Sequence, residues 1–213
     1  MPPTLVNVAV GILIGVALLG AAFDRRSIAI VALAAAAPDL DAAFALVDIG
    51  APNAVFHSVF IPIGAGAVLY YDTQIREESW LRRRYGWYGI RVAWVAIAAY
   101  AVAGIGFDVF SAESVAFLYP LSDRYFAVVG RFVLSTQDGV VQTYLTIGEG
   151  WLGLVSPGTT ETHTVEAWTE PTDGERRIRL VESGYQAVLV VTALAAVPAK
   201  YLVERADRRA EDR

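Results

Sequence analysis

Cysteine is missing altogether from this chain, so neither a disulfide framework nor a thiolate metal site can form. Lysine is nearly missing: Lys200 stands against sixteen arginines, and acidic residues outnumber basic ones by 22 to 17. No basic stripe is left for a phosphate backbone, which argues against nucleic acid as a partner. There are two histidines, His57 and His163. No glycine-rich phosphate loop, GxSxG elbow or HExxH is found, so the common signatures of nucleotide binding and of serine or zinc hydrolysis are excluded.

Apolar residues make up 55% of the 213 positions, and they gather in long runs. A helix crossing a bilayer needs about 20 mostly apolar residues. Residues 4–23, 28–47, 54–71, 88–109 and 184–203 each satisfy that composition. MPPT precedes the first run without a basic side chain, and Arg25 and Arg26 follow it, so the run reads as a retained helix and not as a cleaved signal. The expectation is a mainly α, integral membrane protein with about five transmembrane helices.

Basic residues then sort to one side. Arg25 and Arg26 lie between the first two spans, Arg76 and Arg82 to Arg84 between the third and fourth, and Lys200, Arg205, Arg208, Arg209 and Arg213 at or beyond the fifth. The positive-inside rule makes that side cytoplasmic, so a cell-membrane, multi-pass chain is expected, N-terminus outside and C-terminus cytoplasmic. Residues 110–183 carry ten acidic and five basic residues and are expected to be solvated. β-Branched and aromatic residues around Asp138-Gly139 and Asp173-Gly174 predict two hairpins, a small extracytoplasmic β-hairpin module between helices 4 and 5. The expected organisation is 1–109 as a four-helix region with a polar cluster, 110–183 as the β-rich insert, and 184–213 as the fifth helix and a charged tail. Gly11 and Gly15 in GILIG form a small-residue face for close helix packing.

The sharpest anomaly is APDLD, which sets Asp39 and Asp41 inside an apolar run just after Pro38. A carboxylate at mid-bilayer costs about 2.5–3.5 kcal/mol on insertion scales. Residues two apart on an α-helix point about 200° from each other, so the pair would not share a face of a regular helix. Pro38 suits the first position of a fresh half-helix, with both carboxylates in its first turn. One of them, as a mere helix cap, is the bland alternative. The expected topology also brings His57, at the start of the third span, and Asp108, at the end of the fourth, to similar depth. Three carboxylates and an imidazole suit a divalent ion such as Mg²⁺, Mn²⁺ or Zn²⁺. Asp39, Asp41, His57 and Asp108 are the candidate ligands, with Asp41 alternatively the general base. His163 reads as exposed loop, Ser58 as a neighbour of His57 and not its catalytic partner, and Tyr119 and Asp123 as turn residues.

With APDLD, FHS at 56–58, GIGFD at 104–108 and YPLSD at 119–123, the chain resembles the membrane-bound metal-dependent hydrolase family over roughly residues 1–125. The resemblance implies a metal held by the aspartate pair, the histidine and the later aspartate. A site at lipid depth would suit a lipid-like or phosphoester substrate, with membrane lipid as its surroundings. The chain departs from the family pattern where histidines are usual: Asn7, Pro52 and Gly104 stand at those places. A catalytically degenerate relative, acting as a membrane scaffold or ion-binding protein, is the alternative. A small transporter would need an inverted repeat, and none is visible.

Overall fold

The computed structural model describes residues 3–44, 53–110, 114–128, 132–137, 139–142, 154–162 and 179–211. In chain order the helices are α1 (Thr4–Leu18), α2 (Arg25–Ala36), α3 (Asp41–Phe44), α4 (Phe60–Tyr70), α5 (Trp80–Ala99), α6 (Phe107–Val109) and α7 (Gly184–Glu211). Tight 3₁₀ turns follow α1 at Gly20–Ala22 and α2 at Ala37–Leu40, and wide π turns follow α4 at Tyr71–Ile75 and α5 at Tyr100–Gly106. Four short strands, β1 (Ala127–Val128), β2 (Phe132–Ser135), β3 (Gly139–Gln142) and β4 (Leu154–Val155), complete the set.

The expected five spans are not built. Among the described residues, two helices are long and apolar enough to cross a membrane, Trp80–Val109 and Gly184–Ala206. The other three runs are interrupted by local chemistry. Gly20 turns to φ 55° and stops α1 after fifteen residues, which at 1.5 Å per residue falls short of a hydrocarbon core of about 30 Å. Asp24 accepts from the backbone N–H groups of Arg26 and Ser27 at 2.8 and 2.7 Å, and the Ser27 hydroxyl accepts from Asp24 N–H at 2.9 Å, a capping box that starts α2. These bonds, Ser27's first, hold the Asp24 carboxyl below its ordinary pKa. Pro38 then ends α2, and α4 begins only at Phe60. Hydropathy counts composition and is blind to such competition for backbone partners.

The β expectation is also corrected. Among the described residues two separate antiparallel pairs are present, β1 with β4 and β2 with β3, and neither grows beyond two strands there. Asp138 and the expected second turn at Asp173-Gly174 lie outside the described residues.

The chain divides into two compact units that interleave in sequence. One consists of residues 3–37, 61–104 and 179–213 and is helical. Within it α1 lies against α2, α5 and α7, and α2 against α5. The GILIG face permits the first of these contacts: a Cβ on Gly11 would collide with Ala35 Cβ, and one on Gly15 would meet Ile28 Cδ1 at 2.6 Å. Asp72 fixes the connection from α4 to α5. Its carboxylate accepts from the Ser79 hydroxyl at 2.7 Å, the Trp80 and Leu81 N–H groups at 3.0 and 3.1 Å, and the Arg76 guanidinium at 2.9 Å. Two orphan donors of the α5 N-terminus are thereby satisfied. The other unit, residues 1–2, 38–60 and 105–178, holds α3, α6, the strands and every candidate ligand. Ala42, Ala54, Ala116 and Tyr125 form its buried centre, with Tyr119 against them.

Two predictions follow from these contacts. Gly11→Leu should separate α1 from α2 and lower stability by about 1–3 kcal/mol, the usual penalty of overpacking, read as an earlier thermal transition in detergent; unchanged melting would show that α1 and α2 do not meet through Gly11. Asp72 is held to a pKa of about 2, chiefly by the Ser79 hydroxyl and then the Leu81 N–H. Its folded value lies below the unfolded one of 3.8, so its stabilisation is present above that value and is lost as pH falls towards 2. Asp72→Asn should therefore melt earlier than wild type at neutral pH, with the gap closing in acid; a gap constant across that window would refute the assignment.

Candidate metal centre

The centre begins with the break in the second apolar run. The 3₁₀ turn Ala37–Leu40 places Asp39, and α3 opens on Asp41. Both are buried, with 6% and 2% of their surface exposed. Asp41 Oδ1 accepts from Phe56 N–H at 2.8 Å, and its Oδ2 accepts from Ala54 N–H at 3.0 Å. The same Oδ2 lies 2.9 Å from His57 Nδ1. Asp41 thus holds residues 54–57 together, and its contact with Nδ1 chooses the orientation of the His57 ring.

That choice turns the other nitrogen, Nε2, towards two further carboxylates. Asp108 Oδ2 lies 2.7 Å from Nε2 and Asp39 Oδ1 lies 3.7 Å from it. The Nε2 atom is buried and in ion-pair contact with Asp108. Asp108 stands on α6, directly after the π turn Tyr100–Gly106, the kind of local widening that often accompanies functional sites. One ligand atom from each of Asp39, His57 and Asp108 falls within a sphere of mutual distance 4.8 Å.

The three residues meet where a divalent ion could take one donor from each. Donors sharing an ion with bonds of about 2.0–2.2 Å lie roughly 3–4 Å apart. The donor set, one imidazole and two carboxylates, is that of a borderline or hard cation. Asp41 completes the arrangement from behind: metal-binding imidazoles usually donate their second N–H to a carboxylate, which fixes the ring. Asp41, expected as a ligand or general base, lies on the Nδ1 side of the ring, and the ligand atoms that converge are those of Asp39, His57 and Asp108.

Several partners were not legible in the sequence. Asn53 adopts φ 54°, a left-handed turn that asparagine tolerates, and its side chain donates to the Ser114 carbonyl at 3.1 Å. Ser114 itself sits at φ 64°, where a non-glycine residue costs roughly 1–2 kcal/mol. Ala116 N–H returns to the Asn53 carbonyl at 2.9 Å, and Val59 N–H bonds the Phe117 carbonyl at 2.9 Å. Residues 53–59 are thus clamped to 114–117. Tyr125 is fully buried, and burial, with the nearby Asp41 charge, pushes its phenol pKa up, so it stays neutral. The Pro-Asn pair at 52–53 was the one sequence signal of this turn.

The remaining candidates separate from the centre. The Ser58 hydroxyl donates to the Tyr119 carbonyl, which ties it to the loop at 119. Asp123 is exposed, its carbonyl accepting from Thr160 N–H. Asn7 is buried in α1, and Gly104 lies in the π turn. Pro52 and His163 lie outside the described residues. No family model, curated protein or solved structure matches this chain.

Asp41→Ala should leave the Ala54 and Phe56 N–H groups without their acceptor, at about 1–3 kcal/mol for each buried donor. Asp41→Asn keeps an acceptor oxygen and should cost markedly less. Equal melting of the two variants would show that Asp41 does not organise the loop.

Proposed function

We propose that this chain is a membrane protein that binds one divalent metal ion through Asp39, His57 and Asp108, as a member of the metal-dependent hydrolase-like class its APDLD and GIGFD motifs resemble. The observation that carries the reading is the buried His57 Nε2, held by Asp41 in the orientation that faces both carboxylates. An imidazole at the centre favours Mn²⁺ or Zn²⁺ over Mg²⁺. A bound ion would supply Lewis acidity and compensate the buried carboxylates. Three protein ligands are the number found in catalytic zinc sites, where a further position is kept for water or substrate. Asp39 alone of the three retains exposed surface, so access would run along its side. A lipid-like or phosphoester substrate fits a site in such an apolar chain.

The membrane setting is supported by α7. Only 11% of the apolar window in Gly184–Ala206 is buried, and Val188, Val191, Leu194 and Leu202 are all more than 60% exposed. A soluble protein would cover such a stripe. With Trp80–Val109 as the other span, Arg82 to Arg84 and the basic tail after Lys200 fall on one side, which we assign to the cytoplasm. The expected external N-terminus rested on three spans that are not built and is not carried forward.

A second reading, an ion-binding scaffold without catalysis, is favoured by the complete burial of His57 and Asp108. One experiment separates them. Purified protein should take up about one Mn²⁺ or Zn²⁺ per chain, measured by elemental analysis, and Asp108→Asn and His57→Ala should weaken uptake by at least ~10-fold. Uptake accompanied by metal-dependent hydrolysis of an aryl phosphodiester supports the enzyme. Uptake without hydrolysis of ester or phosphoester probes supports the scaffold. Absence of uptake in correctly folded protein would defeat both.

A further inference from the structure

Within the helical unit, α4 and α5 leave between them an open groove of about 620 Å³, within the roughly 300–1,000 Å³ of small-molecule sites. Small residues make room for it: Gly64 and Ala65 on α4 and Ala93 on α5 line it, with Val68 and Ile97 beside them. A Cβ on Gly64 would meet nothing within 4 Å, so the space over it is open. Neither helix runs on regularly. α4 widens into the π turn Tyr71–Ile75, and Gly86, at φ 64°, breaks α5.

The groove is polarised along its length. The Trp80 N–H bonds Asp72 at 3.0 Å, so α5 starts beside the end of α4 and returns along it, where the Trp94 ring passes 3.7 Å from the Cβ position of Gly66. Tyr71, Asp72 and Trp80 therefore mark one end, and Gly64, about 12 Å before Asp72 at 1.5 Å per residue, lies towards the other. Ala65, Val68, Ala93 and Ile97 bring no polar side-chain atom to the walls. At the polar end the charges are balanced. Asp72 already accepts from the Arg76 guanidinium at 2.9 Å, from the Ser79 hydroxyl and from two backbone N–H groups. A charged head would lose hydration there without gaining a free opposite charge. Tyr71 and Trp80, 55% and 52% exposed, each carry one polar handle that can donate to an uncharged oxygen. Trp80 also opens the apolar candidate span, the level at which tryptophan meets a bilayer surface.

We propose that this groove binds a single-chain amphiphile with an uncharged head, of the monoacylglycerol class. Its alkyl chain lies along Val68 and Ile97, and its head oxygens meet Tyr71 and Trp80. The site is independent of the metal reading and uses none of its residues.

Native mass spectrometry of the full chain, released from detergent with monoolein, oleate or glycerol added, tests the proposal. Wild type should retain monoolein well above both others: oleate probes the charge of the head, and glycerol the need for the chain. Gly64→Leu fills open space, so it should leave melting in place while reducing monoolein retention about 10-fold, the weight of two methylene groups displaced from the groove. Gly184→Leu, whose Cβ also meets nothing within 4 Å but which lies outside the groove, should retain monoolein as wild type does. Val68→Ser, at a side chain 71% exposed, should weaken retention without disturbing the fold. Equal retention of oleate or glycerol by wild type, unchanged retention in folded Gly64→Leu, or an equal loss in Gly184→Leu would each overturn the proposal. Should Gly64→Leu melt early, Val68→Ser decides, and unchanged retention there would overturn it.

Discussion

The carboxylate of Asp41 sets the terms for the rest of its unit. It takes the N–H groups of Ala54 and Phe56, which a continuous helix would have used internally, and it takes the Nδ1 proton of His57. Residues 53–59 are consequently a bonded loop and not the first turns of a span. The same three bonds fix which nitrogen of His57 faces Asp39 and Asp108. Loop conformation and site chemistry are two results of one side chain's hydrogen bonds, which is why a change at position 41 would disturb both.

The two aspartates of APDLD also resolve a geometric puzzle. Two residues apart on a helix, they point in nearly opposite directions, which seems to disqualify them from a common site. They do not need a common face. The imidazole of His57 lies between them, Asp41 on Nδ1 and Asp39 near Nε2, so their divergence becomes the means of gripping one ring from two sides. Pro38 contributes by converting the end of α2 into a 3₁₀ turn, whose tighter winding rotates Asp39 and Asp41 relative to each other differently from an α-helix.

Charge in this protein is handled by the same device in three places. Asp24, Asp41 and Asp72 each sit where a helix or loop leaves backbone N–H groups unpaired, and each accepts two of them. Backbone donors stabilise the charged form of each of these carboxylates. Near Gly86, Arg82 and Arg84 stack over the Trp87 and Tyr85 rings.

Composition alone determined that the chain is mainly helical and apolar, that sulfur chemistry is excluded, and that APDLD, His57 and Asp108 are the residues to watch. Those conclusions rest on residue type, which a sequence states directly. GILIG also announced a close helix contact, because the absence of a Cβ has one packing consequence wherever it occurs. The number of spans was not legible. Hydropathy scores residues one at a time, whereas Gly20, Asp24 and Asp41 end or prevent helices through the backbone bonds they redirect. The division of labour within the site was also decided only in three dimensions. Asp39 and Asp41 are the same residue type two positions apart, and only the approach of residues 53–57 and of α6 distinguishes the carboxylate on Nδ1 of the histidine from the ones that face its Nε2.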